Sequence, residues 1–354
     1  MRTAIVASVP PLARDWDALA DRTGAPPFMR AGWIEAWFAA FGGGPPSVAC
    51  AWREDRLAGV LPLRLRPGAL TSPTNAQTPG FGILAEDAAV ARVLARRVFA
   101  HAPRHVHLAY LDAGDPAVAE LERVAAGSGY RLLRTTIQRS PVVTLRGRDG
   151  PAVGLRAKDA ANLRRRERRL AETGRITVEV SDGGDRLGEL LAEGLRLEGS
   201  GWKQRRGTAI ASRDDTRRFY EAVARWARTE GLLRLAFLRL DGRGLAFQFA
   251  LEDARAYWFL KGGYDPAAAR YAPGRLLARD MVDRAAAAGL ERFEFLGDAE
   301  PWKLEWTREC RECVRVQAFA PTPAGAAGRL AHIGYRRYAR PLAKRALARP
   351  RGRA

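Results

Sequence analysis

Ala256-Tyr-Trp-Phe-Leu-Lys261 runs into Gly262-Gly263-Tyr264-Asp265, and after four more residues comes Arg270-Tyr271-Ala272-Pro273-Gly274-Arg275. The first piece has the aromatic and apolar content of a strand, which the paired glycines end. Proline suits the first turn of a helix, and the apolar period over residues 275–288 predicts that helix, stopped by Gly289. A further strand is predicted over residues 292–296. Strand, helix, strand is the unit of a mixed α/β fold.

The pattern extends in both directions. Upstream, Asp241-Gly242-Arg243-Gly244 joins two strand-like runs, 232–240 and 245–251, as a hairpin does. Before them the reading is a basic helix (155–173), a strand (176–180) and helices over 186–198 and 214–229; downstream a last strand covers 314–319. The N-terminal half begins with a strand (3–9) and helices over 15–22 and 29–41, the latter carrying Trp33, Trp37 and Phe41 spaced by four so that they share one face. Strands 47–53 and 57–65 are split by Glu54-Asp55-Arg56, and residues 67–82, rich in Pro, Gly, Thr and Asn, read as a loop. A helix, a strand (105–111), a helix and two strands (130–137 and 142–145) complete the half. Both halves run helices, strand hairpin, loop, helix, strand, so two copies of one fold are expected. The expected division is 1–146 and 151–325, with a linker at Gly147 to Gly150 and a basic helix or tail over 326–354.

Composition bounds the function. A chain of 354 residues with 47% hydrophobic content can bury two cores. The net charge of +20 attracts polyanions, yet of 59 basic residues only Lys158, Lys203, Lys261, Lys303 and Lys344 are lysine, which argues for coding bias over a nucleic-acid surface. Cys50, Cys310 and Cys313 make no disulfide framework, and no apolar leader follows Met1-Arg2, so a cytoplasmic protein is expected. No window reaches the ~18 apolar residues of a membrane span, leaving peripheral contact through the basic tail as the expected membrane role. Cys310-Arg-Glu-Cys313 lacks the further ligands of a zinc site, and His105 and His107 likewise, so no metal is expected.

Three segments carry candidate chemistry. In Tyr271, Pro273, Gly274 and Arg275, a helix start, a residue without a side chain and a cation suit the phosphates of a donor. Gly297-Asp298-Ala299-Glu300-Pro301-Trp302-Lys303 follows a strand, where α/β folds collect catalytic groups; Asp298 suits a base for an ammonium proton, and Lys303 a charge for a developing oxyanion. Glu198, Trp202 and Lys203, in a glycine-loosened segment, with Tyr264 and Trp302, suit the wall of an acceptor site. Arg164, Arg165, Arg166, Arg168 and Arg169 read as a solvated helix face or as a contact for a phosphate-bearing substrate.

In this order, Trp33-Ile-Glu-Ala-Trp37 with Phe41-Gly42, the basic run Asn162 to Arg169, Leu197-Glu198-Gly-Ser-Gly-Trp202-Lys203, and Tyr264-Asp265 through Tyr271-Ala-Pro-Gly274 resemble the BioF2-like (CelD/BcsL) acetyltransferases. Phe293-Glu-Phe-Leu-Gly297-Asp298 and Trp302-Lys303-Leu-Glu-Trp306 extend the likeness, which spans residues 30–319. That family belongs to the GNAT superfamily and is similar to FemAB-type peptidyltransferases. The resemblance implies two tandem GNAT-like domains and acyl transfer from an acyl-CoA, or from aminoacyl-tRNA, to a small-molecule or nucleotide-linked amine, often in polysaccharide or cell-envelope synthesis. It also implies direct attack, a donor-phosphate loop at residues 271–275 and stabilisation of the reacting carbonyl by Lys303. The usual phosphate-loop pattern of the superfamily is altered to Arg270-x-x-x-Gly274-x-Leu276. A different expectation, a non-catalytic protein of this fold, would use the basic surface on anionic lipid or nucleic acid.

Overall fold

The computed structural model describes residues 1–147, 153–200 and 210–334. Its strands are β1 (Arg2–Val6), β2 (Pro46–Arg53), β3 (Arg56–Arg66), β4 (Ala69–Thr71), β5 (Leu84–Ala85), β6 (His105–Asp112), β7 (Arg131–Thr144), β8 (Ile176–Ser181), β9 (Leu233–Leu240), β10 (Arg243–Glu252), β11 (Ala256–Tyr264), β12 (Arg292–Glu294) and β13 (Cys310–Phe319). The α-helices described are α1 (Ala13–Thr23), α2 (Ala31–Phe41), α3 (Ala88–Phe99), α4 (Pro116–Gly127), α5 (Ala157–Ala171), α6 (Leu187–Gly199), α7 (Asp214–Thr229), α8 (Pro273–Ala287) and α9 (Pro323–Gly334).

Strand, two helices, three strands, helix, strand occurs twice: β1-α1-α2-β2-β3-β4-α3-β6, with the short β5 before α3, and β8-α6-α7-β9-β10-β11-α8-β12. Each half makes one parallel pair through its helical crossover, β4 with β6 and β11 with β12, while the remaining neighbours are antiparallel. The path is β1-β2-β3-β4-β6-β13-β7-β12-β11-β10-β9-β8, with β5 on β3. The hairpin at Asp241-Gly242 forms as expected, both residues holding positive φ (47° and 83°), which matches the twist of the strands they join.

Two features tie the halves together. β13 inserts between β6 and β7, with Phe319 opposite both His105 and Arg131. β7 is one strand of 14 residues where two are expected. Its first part pairs with β13, and Val142, Val143 and Thr144 pair with β12. Pro141 sits at the changeover; it donates no hydrogen bond but its carbonyl accepts from Phe295 N at 3.1 Å, so the strand continues through it.

The aromatic stripe of α2 joins a core with α6 and α7 on one face of β9–β11. Trp33 and Phe41 lie 5.1 and 5.2 Å from the Phe219 ring of α7. Gly32 permits this approach, because a Cβ there would stand 2.1 Å from Trp226. Alternate residues of the same strands, with α5 and α8, make the core on the other face, and α3 and α4 cover the N-terminal strands.

Several boundaries depart from expectation. The predicted loop 67–82 contains β4, and beyond it the chain hydrogen-bonds along β6, Ser72 N to His107 O at 2.9 Å and Phe81 N to Tyr110 O at 2.8 Å. The helix expected from 275 starts at Pro273, whose fixed φ suits that position. The strand expected over 292–296 stops at Glu294, because Leu296 and Gly297 turn left-handed. The last strand starts at Cys310, four residues early. Linker residues 148–150, Trp202, Lys203 and the tail from 335 onward lie outside the described residues. Among the described residues no helix is long and apolar enough to cross a membrane.

Candidate functional site

β11 and β12 pair only over Ala256, Tyr257 and Trp258 against Arg292, Phe293 and Glu294, and then part. Leu296 (φ 50°) and Gly297 (φ 62°) carry the chain away from β11. β11 continues along β10 to Tyr264 with a bulge at Leu260, since Phe249 faces Lys261 while Ala250 faces Phe259. Parting of parallel strands at their carboxyl ends is the geometry by which α/β sheets admit ligands. Trp302 lies at this gap, its ring 6.4 Å from Phe259, 5.5 Å from Phe295 and 6.0 Å from Trp306.

The α8 start stands on the same side. Asp265 accepts from Ala267 N at 2.9 Å and begins the turn Pro266–Tyr271. Ala272 then adopts φ 54°, and α8 opens with Pro273 and Gly274 and no capping side chain among the described residues. Pro273 has no N–H and those of Arg275 and Leu276 donate to the Ala272 carbonyl at 2.9 and 3.1 Å, so the Gly274 N–H is the group this helix start keeps for an external acceptor. A Cβ on Gly274 would stand 3.5 Å from the Tyr264 ring, ordinary contact, so the position has room for a side chain it does not carry. Arg275 is paired with Glu305, and its Nε is enclosed with no partner among the described residues. The basic helix backs this turn: Arg166 donates to the Arg270 carbonyl at 2.6 Å, and Arg279 of α8 holds Glu167 through two 2.7 Å bonds. Arg164, Arg165, Arg168 and Arg169 are exposed.

The turn beyond β12 is organised around Lys303, which is 7% exposed. Its Nζ donates to the carbonyls of Leu296 (2.8 Å) and Asp298 (3.2 Å) and lies 3.2 Å from the Glu300 carboxylate. The Asp298 side chain is exposed, so Asp298 and Lys303 share one turn but meet through the backbone. From the other half of the chain, Ser140 donates to the Gly297 carbonyl at 2.9 Å and accepts from Gln138 at 2.9 Å. Glu198 is buried at 2%, accepting from Ile210 N at 2.8 Å. The end of α6 presses on β11 there, since a Cβ on Gly263 would meet Glu198 Cα at 2.4 Å, and Ser200 donates to the Tyr264 carbonyl at 2.9 Å. Tyr264 thus links the α6 end to Gly274, while Tyr271 carries the Arg270 guanidinium at 4.7 Å.

Sequence reasoning missed Glu294, Arg311, Ser140 and Tyr110. Glu294 ends β12 at 2% exposure, with Arg311 at 3.4 Å and Arg292 at 3.7 Å. Burial pushes its carboxyl up, against the pull of the two guanidiniums. The signal was a lone acid between Phe293 and Phe295. Arg311 was passed over between two cysteines; Cys313 is buried, which pushes its thiol up to about 11. His105 and His107 lie on one face and stack at 5.9 Å, and no group of three or more His, Cys, Asp or Glu is placed to hold a metal among the described residues.

Residues 157–304 match the family model described as an acetyltransferase (GNAT) domain. No curated protein matches the sequence. Among solved structures, a conserved protein of unknown function from Bacteroides thetaiotaomicron VPI-5482 superposes with a TM-score of 0.60 at 12% identity, over 90% of this chain and 100% of that one. FemX superposes with a TM-score of 0.59 at 12% identity, over 90% of this chain and 97% of FemX. At these identities the likeness is one of fold.

Proposed function

We propose, from the premise that the chain carries a GNAT acetyltransferase domain over residues 157–304, that it transfers an acyl group from a phosphate-bearing donor to an amine. The observation that carries this reading is the parting of β11 and β12 beside the uncapped start of α8. A donor lying in that gap directs its phosphates at the backbone of Gly274, where no side chain intervenes, with the exposed arginines of α5 supplying long-range attraction. Arg275, held by Glu305, would contribute only by leaving that partner. An acyl-CoA or an aminoacyl-tRNA meets this description.

The acceptor nitrogen attacks the donor carbonyl carbon. The N–C bond forms, the thioester C–S bond (or the ester C–O bond of an aminoacyl-tRNA) breaks, Asp298 takes the ammonium proton, and the leaving sulfur or oxygen is protonated. Lys303 fixes the shape of the turn through the Leu296 and Asp298 carbonyls, and, with Glu300 at 3.2 Å from its ammonium, we assign it the stabilising of the reacting carbonyl only as Glu300 gives way. Tyr264 and Trp302 flank the gap and Glu198 supports it from the far side of β11; Trp202 and Lys203, proposed for the same acceptor role, lie outside the described residues. We further propose the division into units 1–146 and 151–325, with β13 completing the first unit's sheet. Membership of the BioF2-like group, an acceptor in polysaccharide or cell-envelope synthesis, and a cytoplasmic location with the basic tail at a membrane surface belong to the same reading.

The test is turnover. Purified protein is incubated with acetyl-CoA and a panel of amino sugars and diamines, and thiol release is followed. Release that depends on the amine and falls in Asp298→Asn supports the proposal. Absence of transfer from both acetyl-CoA and aminoacyl-tRNA to any amine would sink it.

A further inference from the structure

A cavity of about 340 Å³ opens at the carboxyl end of β6. Phe28, Met29 and Phe81 form its apolar wall, and Asp112, Asp115 and Arg311 its polar one. Two glycines also line it closely: a Cβ at Gly80 would stand 2.6 Å from Phe28, and one at Gly82 2.9 Å from Met29 Cε.

The charges in the cavity do not balance. Arg311 lies 3.4 Å from Glu294, which Arg292 also faces at 3.7 Å, and 3.9 Å from Asp112, so the three carboxylates of Glu294, Asp112 and Asp115 outnumber the two guanidiniums by one. Asp115 Oδ1 accepts from Ala117 N at 2.8 Å, capping α4, and Asp112 Oδ1 accepts from Gly114 N at 2.9 Å. The second oxygen of Asp115 accepts no hydrogen bond among the described residues. Burial pushes the Asp115 carboxyl up, opposed by the Ala117 hydrogen bond, and the neighbouring charge of Asp112 adds to the rise. A cation between the two carboxylates removes that repulsion. A cavity of negative charge in a chain of net charge +20 selects against the anions the rest of the surface attracts.

The cavity also adjoins the proposed reaction turn. Tyr110 lines it with φ 61°, and burial pushes the Tyr110 hydroxyl up, against Arg315 and with a smaller contribution from the charge of Asp298. Glu294, the partner of Arg311, is the last residue of β12.

We propose that this cavity anchors a primary ammonium group on Asp112 and Asp115, with the attached carbon chain against Phe28, Met29 and Phe81. An ammonium that donates its protons to carboxylates has no lone pair to attack with, so the anchored nitrogen is not the acylated one. The acceptor class is therefore a molecule with two amino groups on a short carbon chain. Naming the occupant as the acceptor rests on the acyl-transfer reading; the ammonium site does not.

Calorimetric titration with 1,4-diaminobutane, and with 1,4-butanediol as a neutral molecule of equal carbon length, tests the site without any donor. Saturable diamine binding is expected, with none for the diol. Asp112→Asn and Asp115→Asn, the latter keeping a helix-capping side chain, are each expected to weaken it about tenfold or more. Gly82→Ala, which alters no charge, is expected to weaken it by narrowing the cavity, and thermal melts confirm that each variant is folded. Equal binding of the diol, unchanged affinity in the Asp variants, or no diamine binding would overturn the site. Donor binding measured on the same samples separates the two ideas: donor binding without diamine binding sinks the site alone, and diamine binding without any donor binding sinks the acyl-transfer reading alone.

Discussion

Lys303 Nζ donates to the carbonyl of Leu296 at 2.8 Å, and Leu296 holds a left-handed φ of 50°. A branched apolar residue in that conformation is costly and persists where its surroundings over-determine it. Here the ammonium binds the carbonyls of Leu296 and Asp298, and Ser140 binds that of Gly297 between them. The turn that presents Asp298 is thus held from both halves of the chain.

Removing the two charged groups of this turn should have different signatures. Lys303→Ala leaves buried carbonyls unpaired and is expected to cost about 1–3 kcal/mol of stability together with turnover. Asp298→Asn alters an exposed side chain and is expected to change stability by less than about 0.5 kcal/mol while slowing turnover roughly 10²- to 10⁴-fold. Urea unfolding and thiol-release rates on both variants check this; wild-type turnover in Asp298→Asn would remove it as the base.

Packing of α2 on α7 should fail at one methyl group. Gly32→Ala places a Cβ where Trp226 now lies and is expected to destabilise by about 1–3 kcal/mol. Combined with Trp226→Ala, the added methyl should cost measurably less, a coupling expected only of residues in contact. Additive losses in urea unfolding would show that Gly32 does not set this approach.

Acid should destabilise the protein through His107. Burial, then the charges of Arg315, His105 and His332, pushes its imidazole down to about 4 from the ordinary 6.5. A base depressed in the folded state contributes stability that is present above pH 6.5 and is lost as the pH falls through 4. The melting temperature should therefore fall between these limits, and less steeply in His107→Gln. Identical slopes for the two proteins would contradict the assignment.

What the sequence revealed was local. Trp33, Trp37 and Phe41 announced a buried helix face by their spacing, Asp241-Gly242 announced a hairpin by requiring positive φ, and Pro273-Gly274 located the helix start beside the gap, whereas Gly262-Gly263, read as the strand's end, stay paired with β10 and the strand runs on to Tyr264. What it concealed was long-range. Nothing near Gln317 indicates that it lies opposite Leu133 and His107, and Pro141 reads as an interruption although its neighbours on β12 and β13 carry the strand through. The candidate site divides the same way. Asp298 and Lys303 were legible as one turn, whereas the cavity is built from residues 26–29, 80–82, 110–115 and 311–313, which only the β13 insertion assembles.

Gly274→Ala tests the central claim most directly. The added methyl has ordinary room beside Tyr264 and replaces glycine in a helix, so the melting temperature should hold or rise slightly. If donor phosphates approach the backbone at this residue, the same methyl stands in their way. Titration of wild type and variant with acetyl-CoA and with aminoacyl-tRNA should show one donor binding the wild type and binding the variant about tenfold more weakly, a loss of about 1.4 kcal/mol. Equal affinity of the two proteins for that donor, or no binding of either donor to the wild type, would contradict the placement of the donor site at the start of α8.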